Sequence, residues 1–133
     1  MDFFISLGSD IRMKLSELSA KGGERGKGFS VEWSVSEVYV YAPATVSVKA
    51  TGRYCYDFVP NGETDADELE QKHLNRAKLY KNAFSQKIRD AAKTVIFNTR
   101  GAASYETPAN PWQVFVDLEM DIDENVQSVK SMG

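Results

Sequence analysis

Over residues 45–59 nearly every second position is apolar. Val46, Val48, Ala50, Tyr54, Tyr56 and Phe58 fall on one side of an extended chain, and Thr45, Ser47, Lys49, Thr51, Arg53 and Asp57 on the other. A period of two held this long predicts a half-buried antiparallel strand. The stretch 29–41 is also rich in strand formers, but its apolar parity changes: Val31, Trp33 and Val35 come first, then Val38 and Val40. A bulge near Ser36-Glu37 reconciles the two halves. Residues 112–123 alternate again, with Trp112, Val114, Val116, Leu118, Met120 and Ile122 against Gln113, Phe115, Asp117, Glu119, Asp121 and Asp123. A period near 3.6 replaces the period of two between these strands. Leu69, His73, Ala77, Tyr80, Phe84, Ile88 and Ala91 recur at three- and four-residue spacing and predict a helix over about 65–93. Pro60 to Thr64 reads as a turn, with Thr64 and Asp67 opening that helix in a capping-box-like start.

Three shorter segments complete the order. Residues 9–20 predict a short helix, capped by Ser9 and Asp10, carrying Ile11, Leu15 and Leu18 on one face and ended by Gly22-Gly23. Residues 94–98 are either the last helical turn or a short strand, and their β-branched side chains favour the strand. After Asp123, Val126 and Val129 fit a turn of helix. One-sided strands and one-sided helices must cover each other. The expected fold is therefore α+β: a two-layer sandwich in which one long and one short helix pack on one face of an antiparallel sheet of about four strands.

Composition adds bounds. The 133 residues suit one domain, 1–133, and a chain that is 42% hydrophobic and 26% charged can bury a core. Cys55 is the single cysteine, so no internal disulfide forms and a cytoplasmic setting (or a virion or host cytoplasm for a phage protein) is expected. The apolar start, Phe3 to Leu7, is short and flanked by Asp2, Asp10 and Arg12, which predicts neither a signal peptide nor a membrane partner.

Charge is sorted along the chain although the net value is only -3. Between 71 and 100 stand Lys72, Arg76, Lys78, Lys81, Lys87, Arg89, Lys93 and Arg100 against Asp90 alone. Acids at a helix start and bases beyond complement its dipole, which is one account of the pattern. The other is that Lys78, Lys81, Arg89 and Lys93, lying away from the apolar stripe, form a partner-binding face. Asp117, Glu119, Asp121 and Asp123 share one strand face at roughly 7 Å spacing. They form a row rather than a convergent metal set, and lie either exposed or opposite Lys49 and Arg53. Phe115 stands among them and is a candidate interface anchor. The other strand aromatics, including Trp33, Tyr39, Tyr41, Tyr54, Tyr56 and Trp112, are expected in the core.

Few residues suggest catalysis. His73, the one histidine, lies on the apolar stripe, as expected of a packed residue with one satisfied nitrogen, and Cys55 falls on the polar side of its strand by parity. The loop 21–28 fails the phosphate-loop spacing, since Lys21 stands where the first glycine is needed and Gly28 where a hydroxyl is needed. No catalytic set, metal site or cofactor is expected. The element order α-β-β-α-β resembles that of small assembly proteins such as phage tail-terminator-like rings and secretion chaperones, a likeness of order that no motif carries. The first expectation is a non-enzymatic protein-binding or assembly protein of bacterial or phage type. It would act by self-association or by docking on a partner complex, as structural component or inhibitor. The second is nucleic-acid binding through helix 72–93 and the loop 21–28, and the third a small enzyme using His73.

Overall fold

The alternating segments pair as their periodicity requires. A computed structural model describes residues 2–26, 28–57 and 66–125. The elements are helix α1 (Phe3–Lys21), strands β1 (Glu24–Gly26), β2 (Phe29–Tyr41) and β3 (Thr45–Asp57), helix α2 (Ala66–Asn98), a 3-10 turn (Ala102–Tyr105) and strand β4 (Gln113–Asn125). They form one four-stranded sheet in the order β1-β2-β3-β4, with both helices on one face. The layered α+β sandwich is thus as expected. The sheet, however, is mixed. The β1–β2 and β2–β3 pairs are antiparallel, while β3 and β4 run parallel from Thr45↔Gln113 to Asp57↔Asn125.

The departure has a physical cause in α2. Residues 94–98 continue that helix to Asn98 and form no strand. The β-branched residues here are accommodated: Thr94 Oγ1 donates to the Asp90 carbonyl at 3.0 Å, and just past the helix Thr99 Oγ1 donates to that of Val95 at 2.7 Å. Ile96 extends the buried stripe of Phe84, Ile88 and Ala92. A helix of 33 residues spans about 50 Å, more than the length of a 13-residue strand. It carries the chain back to the end of the sheet where β3 began, so β4 must run parallel. The fourth strand is instead β1, inside the segment 21–28 expected to be a loop; Glu24, Arg25 and Gly26 pair with Val31, Ser30 and Phe29.

The first helix starts at Phe3 rather than Ser9, because its cap and its anchor come from elsewhere. The Asp2 carboxylate accepts from the Phe4 amide at 2.9 Å, and the Phe3 ring stacks on Tyr105, centroids 4.5 Å apart. Gly22 ends it. A Cβ at Gly22 would sit 2.7 Å from Trp33 Nε1 and 2.9 Å from the Leu18 carbonyl, so only glycine permits that close approach. The core lies between the layers: Leu7, Ile11 and Leu15 from α1, Val46, Val48, Ala50 and Tyr54 from β3, and Phe84, Ile88 and Ile96 from α2. The expected turn at 60–64, the Thr64 cap, Phe58 and the tail after Asn125 lie outside the described residues.

Truncating Ile88 to alanine empties a fully buried site and should cost about 2–5 kcal/mol in urea unfolding. The same change at Leu79, 69% exposed on the same helix, should stay within about 0.5 kcal/mol.

Candidate functional site

Because both described helices lie on one face, the other face of the sheet is built from the outward residues of the strands, those of β2, β3 and β4 and Arg25 of β1 beside Ser30 and Cys55. The pairings arrange them in rows: Tyr39–Ser47–Phe115, Glu37–Lys49–Asp117, Ser34–Thr51–Glu119 and Glu32–Arg53–Asp121. The carboxylate row of β4 therefore does lie opposite Lys49 and Arg53, across the parallel pair. Arg53 Nε binds Asp123 at 2.9 Å, while Lys49 reaches Glu37 at 3.8 Å. Asp117, Glu119 and Asp121 make no ion pair among the described residues. As expected, Phe115 is exposed, at 56%.

Tyr39 and Tyr41 correct the expectation that the strand aromatics are core. The register slips between Val35 and Glu37, which turns Val38 and Val40 inward and both tyrosines out, 47% and 50% exposed. Their rings lie 6.1 Å apart. With Phe115 across the small Ser47 they give one end of the open face an aromatic surface, and the rest of it is charged. The predicted bulge was visible in the sequence, and following its parity through to positions 39 and 41 would have found this patch.

The cations of α2 divide between two flanks of that helix, one of them marked by Arg76 and the cleft beside α1. Arg76 lies 4.5 Å over the Phe29 ring of β2, and Val95 and Asn98 line a cleft with Asp10 and Met13 of α1. That flank faces α1 and β2. At about 100° per residue, Lys78, Lys81, Arg89, Lys93 and the 77%-exposed Phe97 fall on the opposite flank, above the outer edge of β4. Arg89 donates to the Gln86 side chain, and Lys78, Lys81 and Lys93 form no ion pair among the described residues. The acidic and basic sets thus lie on opposite sides of one strand edge.

His73 is buried under the helical layer, 4% exposed. Its ring stacks on Tyr56 with centroids 4.4 Å apart, and its Nδ1 lies 2.6 Å from the Tyr54 hydroxyl. Burial, with Arg76 and Lys72 nearby, pushes its pKa below the ordinary 6.5, against a smaller upward pull from Asp57. Burial pushes Tyr54 upward. The pair is therefore a neutral tyrosine hydrogen-bonded to a neutral imidazole, a structural contact. Cys55 faces the open side of β3, so the sheet separates it from His73 and a Cys/His pair does not form. No three His, Cys, Asp or Glu side chains converge as a metal set among the described residues. Nor is any described helix long and apolar enough to cross a membrane. No family model, curated protein or solved structure matches the chain.

Folding lowers the proton affinity of His73, so the unfolded chain takes up the proton first. Its contribution is complete above pH 6.5 and is lost as pH falls from there toward the lower folded value. The melting temperature should fall between pH 7.5 and 5.5 (about two units spanning the ordinary value). A His73→Phe variant, measured by calorimetry, should show a smaller fall.

Proposed function

We propose that this chain is a non-enzymatic protein-binding or assembly protein of bacterial or phage type, working in the cytoplasm or in a virion. It meets another protein chain through the uncovered sheet face and the outer edge of β4. The observation that carries this reading is the edge itself. Among the described residues β4 pairs only with β3, so a 13-residue strand ends the sheet. An unpaired edge offers a row of backbone donors and acceptors to another chain. Exposed Tyr39, Tyr41 and Phe115 beside it supply aromatic contact area of the kind concentrated at interfaces. The burial of His73 against Tyr54 and Tyr56, with Cys55 on the other side of the sheet, further supports a binding role over a catalytic one.

Nucleic-acid binding is the second reading. It is favoured by the row Lys78, Lys81, Arg89 and Lys93, which forms no ion pair among the described residues, and opposed by the carboxylates across the same edge. Replacing all four by alanine should then flatten the salt dependence of oligonucleotide affinity by about 0.7–0.9 log unit per lost contact.

A photo-cross-linking side chain in place of Phe115 or Tyr39 should capture protein when irradiated in the native host. The same group in place of Ser16, on the exposed side of α1, should not. Absence of products from both open-face positions would contradict the association reading.

A further inference from the structure

We propose that the chain meets a second copy of itself across β4, about a two-fold axis parallel to that strand, with the basic flank of each α2 against the carboxylates of the other copy. The inference rests on the association reading above and gives it a partner and a geometry; this two-fold joins the copies through side chains along β4 rather than through a backbone ladder, because it sets equal residues level on opposite faces. Its basis is a match of two spacings. Along a helix, four residues advance about 6 Å; along a strand, two residues advance about 7 Å. Arg89, Lys93 and Phe97 recur at the first spacing, and Glu119, Asp117 and Phe115 at the second.

The two rows also stand at the same height. Tyr80 packs 6.4 Å from the Tyr54 ring and 6.0 Å from that of Phe29. Tyr54 is in register with Ile122, and Phe29, through Tyr56, with Glu124. Tyr80 therefore marks the level of residues 122–124, and α2 runs antiparallel to β4. From that level Arg89, Lys93 and Phe97 lie about 14, 20 and 26 Å along the helix. Glu119, Asp117 and Phe115 lie about 13, 20 and 26 Å along the strand. By this marker each cation is level with a carboxylate and the exposed Phe97 with the exposed Phe115; by Phe84, 6.2 Å from Trp33 at the level of Met120, they fall about one residue further along β4. Lys81 falls level with Asp121 and Asp123.

Within one copy these rows cannot meet, because the sheet lies between them. Rotation about an axis along β4 keeps every height and exchanges the two sides of the sheet. It sets Lys93 beside Asp117 of the second copy, Arg89 beside Glu119 and Phe97 beside Phe115, and makes each contact twice. A two-fold axis perpendicular to the sheet would instead set carboxylates against carboxylates and cations against cations. The charge pattern selects the first arrangement and accounts for Asp117, Glu119 and Lys93 having no ion-pair partner among the described residues of their own copy.

Light scattering on a size-exclusion column tests the pairing with three proteins: wild type, R89E/K93E and D117K/E119K. Wild type should be a dimer at low salt that weakens at high salt. Each variant alone should be a monomer, because both its contacts set like charge against like. The two variants mixed should form a heterodimer, because both contacts are then opposite. Should a variant fail to melt cooperatively, carbodiimide cross-linking of wild type reads the same geometry, and a Lys93–Asp117 link between copies is expected. A wild-type monomer at low salt overturns the self-pairing, and open-face cross-links to a different protein would then leave the broader reading standing. A dimer indifferent to both reversals, or one that yields no such link, also overturns it.

Discussion

The structure depends on a helix that is longer than the strands it covers. Because α2 spans 33 residues against 13 for β3 and β4, it returns the chain to its starting end, and β4 has to run parallel to β3. Three consequences follow. β4 becomes the last strand of the sheet, α2 lies over it rather than over β3, and the whole helical layer stays on one face. An open sheet face, a free edge and a flank of cations above that edge are all products of one crossover.

The layers are held by apolar contacts with one buried polar link. Val46, Val48, Ala50, Ile88 and Ile96 are close-packed between sheet and helices, and the Tyr54–His73 hydrogen bond ties β3 to the start of α2. That bond works because both partners are kept neutral by burial, which also makes it the acid-sensitive point of the core. Its cost when one partner is removed exceeds its net contribution when made, since the remaining polar atom would be left buried and unsatisfied. Trp33 Nε1 is a buried donor with no partner among the described residues, held close against the Gly22 turn.

Much of this was legible in the sequence. Period two in 45–57 and 113–123, period 3.6 in α2, and the parity change at Ser36 each follow from one-sided burial, which is a local property of the chain. What escaped was set by distant contacts. The start of α1 depends on Tyr105 stacking on Phe3, a hundred residues away in sequence. The helical state of 94–98 depends on burying Ile96, which outweighs the strand preference of Val95 and Ile96. β1 forms because the edge of β2 is there to pair with it. Both charged sets of the candidate surface, Lys78 to Lys93 and Asp117 to Asp121, were recognisable as unusual patterns. Only the topology places them on the two sides of one edge.

Amide hydrogen exchange across a protein-concentration series bears most directly on where this chain meets a second one. Amides of β4 should exchange more slowly as concentration rises, together with those of α2 around Arg89 and Lys93, while those of α1 should not change. Rates in β4 that are independent of concentration, or protection that builds on α1 instead, would contradict the placement of the interface.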